Sequence, residues 1–374
     1  FRSRDTSISM NRRWEYRAAV GVGGKGERVD WGIDLRTQPT TAVTSEWISN
    51  QQGNDFGIGL AQGFGRFHDS ILSLDFALTV GRAKTVMLYD NVSQQFFDND
   101  VRWDGFGWNF RKGNFGLNAA QYVLGAVSQG TVRASTFSKT EASDNNPQQQ
   151  SHFAMLYSVQ PYAQFHLGED VLQTLAVGWY VWDGTGANTS PPSGAGFFSN
   201  AIHGGSANST AGVAVGNTNP VILDNSKQLQ IFSETAFPNN VRLLAELVHN
   251  KKIYYGTRLT ASNPATIADR DAWAVSIIWG KPKKAGDFAI SYAYGEKGIG
   301  SVIGTFSNGD IPPDNKSHFF EGKYMVADGL SLGGKAQFHN EKAKLDGNGV
   351  AIPSPNAGRE QTQQRFELMT QVQF

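Results

Sequence analysis

The sequence predicts an all-β protein, a membrane-spanning antiparallel β-barrel of about sixteen strands. Three observations predict it: long segments of two-residue alternation, apolar faces rich in aromatic rings, and a regular exchange of short and long connections. Alternation is the primary sign, because successive side chains on a strand point to opposite faces. A helical period fits none of these segments. A soluble sandwich alternates too, so the other two observations decide. Trp, Tyr and Phe often end the apolar faces, as membrane-interface girdles do. The segments run to about 9–13 residues, the length of a tilted bilayer-crossing strand, against about 5–6 in globular sheets.

Taken in order, Trp14, Tyr16, Ala18, Val20 and Val22 share one face, with Arg13, Glu15, Arg17 and Ala19 opposite. Next, Val29, Trp31, Ile33 and Leu35 stand against Arg28, Asp30, Asp34 and Arg36. The same rhythm recurs at 153–165, 175–181, 273–279, 288–294, 330–338 and 366–374. Short connections, carrying the Gly, Asn, Asp and Pro that tight turns need, are expected at 24–27, 67–70, 111–114, 167–170, 238–240, 281–286 and 327–329. Long polar ones are expected at 40–55, 86–103, 128–150, 183–227, 252–268, 298–315 and 343–361, with a small first loop near 6–11. Outer-membrane barrels have short periplasmic turns and long external loops. Both chain ends then fall on the periplasmic side. The first strand, "FRSRD", and the glycine-rich fourth, "FGIGLAQGFGRF", carry the pattern least clearly.

Composition excludes several functions. The 374 residues hold 33 basic and 33 acidic side chains, without the basic excess of a nucleic-acid binder. No cysteine occurs, which removes disulfides, thiolate metal sites and cysteine nucleophiles. No run of eighteen apolar residues offers a transmembrane helix. The chain opens on Phe1, so a mature or truncated product lacking its leader is expected. "GVGGKG" at 21–26 satisfies G-x-G-x-x-G, but a strand follows it at once, making it a hairpin turn. With no P-loop, H-E-x-x-H or EF-hand pattern, the reading is no cofactor, no metal and no enzyme.

The segments "VDWGIDLRTQP", "LTVGRAKTV" and "NDVRWDGFGWNF" resemble the strand pattern of a bacterial outer-membrane porin family of the general-porin type. The last ten residues, "RFELMTQVQF", place Phe366, Leu368, Thr370, Val372 and Phe374 on one face. They resemble the C-terminal signature that such barrels present to their assembly machinery, with Phe366 and Phe374 as its rings. The resemblance implies one barrel domain over 1–374 in the outer membrane of a Gram-negative bacterium. Its surroundings would be outer-membrane lipid and lipopolysaccharide, and its assembly a homotrimer. The implied function is passive diffusion of ions and small hydrophilic solutes. In general porins the connection after strand five folds into the barrel and narrows it. Here that is 86–103, "VMLYDNVSQQFFDNDVRW", with Asp90, Asp98 and Asp100, and Asp104 just beyond. The Pro-Glu-Phe-Gly-Gly motif of many general porins is absent.

Strand parity assigns the basic residues Arg13, Arg17, Arg28, Arg36, Arg111, Lys335 and Arg365 to the lumen. It assigns the acidic residues Glu15, Asp30, Asp34, Asp75, Glu321 and Glu367 there too. Charged rings can replace water around a moving ion. The expectation sets the Asp-bearing loop opposite the arginines of strands two and three; alternatively these charges pair with one another in a polar lumen. Arg12 has the other parity and suits a membrane edge. The connection 183–227 is either a solvated external loop or a cover over the mouth or a neighbouring subunit. Tyr162, Tyr180 and Trp182 share interior parity. A substrate-specific channel for sugars or carboxylates, a plugged adhesive barrel and a soluble β-protein are the rival readings.

Overall fold

A computed structural model describes residues 15–16, 19–39, 48–49, 56–97, 99, 101–128, 131–133, 152–183, 199–200, 221–222, 226–251, 254–255, 270–298, 301–302, 315–341 and 362–372. Fifteen strands follow one another in a single antiparallel meander. They are β1 (Ala19–Lys25), β2 (Val29–Pro39), β3 (Phe56–Ile71), β4 (Leu74–Ala83), β5 (Trp103–Lys112), β6 (Phe115–Ser128), β7 (His152–Leu167) and β8 (Val171–Asp183). The series continues with β9 (Lys227–Phe237), β10 (Val241–Asn250), β11 (Asp271–Gly280), β12 (Phe288–Lys297), β13 (Asn315–Ala327), β14 (Leu330–Glu341) and β15 (Thr362–Val372). Thr131–Arg133 adds a short piece beside β6. Among the described residues β1 and β15 are the two edges and do not pair with each other. The strand expected at the first five residues lies outside the described residues.

Burial runs opposite to that of a soluble sheet. On β8, Leu175 and Val177 are exposed while Thr174, Ala176 and Tyr180 are buried. On β9 and β10, Ile231, Leu243 and Leu247 are exposed; Gln228, Gln230, Leu244 and Glu246 are buried. On β11, Val275, Ile277 and Trp279 face outward, and Ala274 and Ser276 inward. In water this arrangement would cost about 25 cal/mol for every Å² of apolar surface left wet. In lipid that cost vanishes, and the ladder pairs the backbone groups of the strands between the two edges. The apolar face is called outer and the opposite face inner. Aromatic contacts mark the outer rim, as between Trp279 and Phe288, whose ring centroids lie 5.0 Å apart.

Most short turns fall where Gly, Asn and Asp predicted them. One does not. The turn expected at 67–70 is strand, and β3 runs on to Ile71. The chain reverses at Leu72 and Ser73, with φ of 52° and 65°, as Ile71 pairs with Leu74. "HDS" resembles a turn only because its polar residues include inner-face positions; positive φ at two central residues is the geometry a two-residue hairpin requires. Of the strand expected over 13–22, two pieces are described. Glu15–Tyr16 pairs with Ile48–Ser49 in a separate small sheet, and β1 begins at Ala19. Ser199–Asn200, Val221–Ile222 and Tyr254–Tyr255 form another small sheet, which ties the β8–β9 connection to the β10–β11 connection.

The turn between β11 and β12 carries Lys281, Lys283 and Lys284 and is organised by Asp287. Its Oδ2 accepts the backbone N–H groups of Lys283 at 3.1 Å and Lys284 at 3.0 Å. These bonds hold the Asp287 carboxyl below the usual Asp value. A carboxyl with a depressed folded pKa contributes stability above its unfolded pKa and loses it as pH falls through the folded value. The amide resonances of Lys283 and Lys284 should therefore shift together in an acid titration, with a midpoint below the ordinary 3.8. Amides that do not respond there would remove Asp287 as the organiser of this turn.

Candidate pore lining and inserted segment

The described residues of the connection from β4 to β5 (84–97, 99, 101 and 102) lie on the inner face and are bonded to strand after strand. Tyr122 on β6 accepts the Val86 N–H through its hydroxyl at 3.1 Å. Gln160 on β7 accepts the Leu88 N–H at 2.7 Å and donates to the Leu88 carbonyl at 2.8 Å. Gln230 on β9 donates to the same carbonyl at 3.1 Å. Ser276 on β11 donates its hydroxyl to Asp90 Oδ2 at 2.5 Å. Gln95 donates to the Glu296 carbonyl on β12 at 2.8 Å. A segment without its own secondary structure carries backbone groups that must find partners once buried. Here amide and hydroxyl side chains of the wall supply several of them.

Apolar contacts complete the docking. Phe96 and Phe97 are buried against Tyr180, with ring centroids at 4.5 and 5.6 Å. Phe97 also meets Trp103 at 5.2 Å, and Trp103 stacks on Tyr122 at 5.2 Å. Val92 enters a cluster with Ala176, Phe232, Leu244, Ala293 and Phe319, and Leu88, Tyr162 and Ile278 pack against it. Two glycines stand opposite each other where the chain leaves and rejoins the wall, Gly81 on β4 and Gly105 on β5. Their φ values are 109° and 147°, and a Cβ at either would strike a backbone carbonyl, of Gly63 or Gln121. Only glycine tolerates both conditions.

The sequence-derived candidates separate into distinct places. Asp90 belongs to the segment but is fully buried. Its Oδ1 accepts the N–H groups of Val92 at 2.9 Å and Ser93 at 3.3 Å, and Oδ2 takes Ser276. It anchors the segment and does not face an opening. Asp104 is not part of the segment: it sits on β5, shares its alternation with exposed Phe106, and faces Arg82 at 3.5 Å. Arg13, Arg17, Asp98, Asp100 and Phe374 lie outside the described residues, as do the side chains of Glu15 and Arg365.

The remaining charges form three groups. Asp34 and Arg36 make an ion pair at 2.6 Å on β2. Glu321, Lys335 and Glu367 stand side by side across β13, β14 and β15, and the Lys335 ammonium lies 4.9 Å from the centre of the Phe319 ring. Asp30, Asp75 and Arg111 gather at the short-turn end of β2 to β5, and Arg28 nearby reaches Asp69 at 3.6 Å. On the last strand Phe366 is exposed beside Leu368 and Val372, on the outer face.

Sequence reasoning missed the wall residues that hold the segment: Gln160, Gln230, Glu246 and Ser276. Gln230 donates to Glu246 Oε1 at 2.5 Å and accepts from the Tyr180 hydroxyl at 2.6 Å. Gln160 donates to Gln230 Oε1 at 2.8 Å across β8, where Gly178 leaves room for the Tyr180 ring and the Gln230 amide. Their one sequence signal is inner parity combined with a polar type.

Solved outer-membrane proteins align with nearly the whole chain. A high-pH structure of OprB from Pseudomonas putida does so with 10% identity over 96% of this chain and 88% of that chain, at a TM-score of 0.48. In-vitro folded OmpT from Vibrio cholerae, in its trimer form, aligns with 10% identity over 96% of each chain, at 0.44. OprD from Pseudomonas aeruginosa aligns with 12% identity over 96% and 91%, at 0.38. No protein-family model and no curated protein sequence matches the chain. The fold assignment therefore rests on the sheet itself. It is an antiparallel meander of the outer-membrane barrel kind, inverted in its burial and carrying a segment on its inner face.

Proposed function

We propose that this protein is an outer-membrane porin, a water-filled channel for passive diffusion of ions and small hydrophilic solutes. The observation that carries this reading is the inserted segment, 84–102, bonded to an inner wall lined with polar side chains while the outer wall is apolar. An interior of this kind offers a path for water and hydrated solutes. The segment narrows the path, and the charges of the wall and segment set the field that a solute meets. No bond is made or broken during transport; the concentration gradient supplies the driving force. The proposed setting is the outer membrane of a Gram-negative bacterium, among lipid and lipopolysaccharide, and the proposed assembly is a homotrimer.

Single-channel recording of the detergent-purified protein in a planar bilayer, under a salt gradient, tests this. Conductance steps grouped in threes are the expected result. Inserted but silent protein would overturn the channel and leave a plugged barrel. Asp98→Asn and Asp100→Asn should each move the reversal potential toward weaker cation preference. An unmoved potential in both would take these carboxylates out of the constriction.

A further inference from the structure

At the short-turn end of the inner wall, β2, β3, β4, β5 and β7 and the first hairpin turn line an open basin of about 710 Å³. Its position below the inserted segment follows from Tyr162, which lines the basin and packs against the apolar cluster that receives Val92. Ala77 is part of the floor, between His68 and Asn109 on the neighbouring strands. The Tyr162 ring rests on Gly116, where any Cβ would overlap it.

Charges of both signs line this wall: Glu27, Asp30, Asp69 and Asp75 with Arg66 and Arg111, and Asp69 is drawn toward Arg28 at 3.6 Å. Asp30 on β2 pairs in register with Arg66 on β3, and Asp75 on β4 with Arg111 on β5. Cross-strand neighbours of this kind lie about 5 Å apart. Neither arginine is in ion-pair contact with a carboxylate among the described residues. Arg111 spends its Nε on the Gly113 carbonyl at 3.1 Å, which leaves its two terminal nitrogens. Arg66 makes no hydrogen bond among the described residues. On the acidic side, Asp30 faces His68 at 3.4 Å and Asp75 Oδ1 accepts the Ser70 hydroxyl, so each carboxylate keeps a second oxygen.

We infer that this basin is a subsite for small zwitterions of the amino-acid type, with the carboxylate on Arg66 or Arg111 and the ammonium on Asp30 or Asp75. The inference rests on the channel reading for its meaning, since it names a solute class that the channel would favour. A simple anion drawn to an arginine meets a carboxylate one strand away, and a simple cation meets the reverse. A zwitterion satisfies both neighbours and adds no net charge to the lumen. A neutral polyol can bond to the same groups, but it forgoes the doubled strength of hydrogen bonds between ions.

The test is equilibrium binding to the purified protein in detergent, followed by saturation-transfer NMR, with four probes: L-serine, lactate, ethanolamine and glycerol. L-Serine should bind about tenfold more tightly than each of the others, the value of one charge-assisted hydrogen bond. Arg66→Gln combined with Arg111→Gln, and Asp30→Asn combined with Asp75→Asn, should each erase that preference, because each removes one sign of charge from both pairs. Asparagine keeps the size of aspartate, and Arg66, Asp75 and Arg111 are exposed, so an unchanged circular-dichroism melt is expected and is measured alongside. Equal binding of all four probes, tightest binding of glycerol, or a serine preference that survives either pair of substitutions would overturn the subsite. Binding in detergent needs no conduction. A conducting protein without the preference defeats the subsite alone, and a silent protein that keeps it defeats the channel alone.

Discussion

Phe97→Ala frees the inserted segment from the wall while the sheet stays intact. Phe97 is 0% exposed and touches four rings: Phe96 at 4.4 Å, Trp103 at 5.2 Å, Tyr180 at 5.6 Å and Tyr89 at 5.7 Å between centroids. Truncating a buried phenylalanine costs about 3–5 kcal/mol, part transfer and part unfilled cavity. That loss falls on docking of residues 84–102, because Phe97 takes no part in the ladder of the fifteen strands. A segment held by a few kcal/mol opens as a local unit when one anchor goes. The expected result is larger, noisier single-channel current together with protease cleavage within 84–102. Phe106→Ala, on the exposed outer side of β5, should produce neither. Quiet, wild-type current and full protection in Phe97→Ala would show that the aromatic contacts do not hold the segment.

The outer wall was legible in the sequence and the docking was not, for one physical reason. Alternation is a local property: Leu175 and Val177, or Leu243 and Leu247, announce their face within a few residues. Membrane strands depend on that local order because each must present a continuous apolar side. Turn chemistry is also local, which is why most hairpins fell where expected. The exception at 67–70 shows the limit, since His68 and Ser70 are polar for the inner wall and not for a turn. Bonds between the segment and the wall join residues far apart in the chain, such as Asp90 with Ser276 or Gln95 with Glu296. Nothing near Ser276 in the sequence marks it as the partner of a carboxylate. Asp90 itself reads equally well as a charge facing water or as a residue that caps its own loop, and only the tertiary structure separates these. Gathering of Asp30, Asp75 and Arg111 lies between the two cases. Parity put each on the inner side, but their meeting at one end depends on register.

Asp90→Ala and Asp90→Asn should part company, and the difference identifies what this residue does. The carboxylate accepts two backbone N–H groups of its own turn through Oδ1 and the Ser276 hydroxyl through Oδ2. Alanine removes all three bonds and leaves buried donors unpaired, each costing about 1–3 kcal/mol. Losses within one small network are not additive, so a net cost of about 2–4 kcal/mol to docking is expected. Asparagine retains a carbonyl oxygen for the two N–H groups and offers its NH₂ to Ser276 Oγ, whose lone pairs can accept. It should therefore dock nearly as well as Asp90, with quiet current and protection from protease, while Asp90→Ala behaves like Phe97→Ala. Because the group is buried under the segment, removing its charge in Asp90→Asn should leave the reversal potential in place. Asp98→Asn and Asp100→Asn should move it. If Asp90→Asn shifts ion preference as strongly as they do, the Asp90 carboxylate reaches the water path and its role as an anchor fails. If asparagine instead loosens the segment as much as alanine, charge and not hydrogen-bond shape is what binds segment to wall.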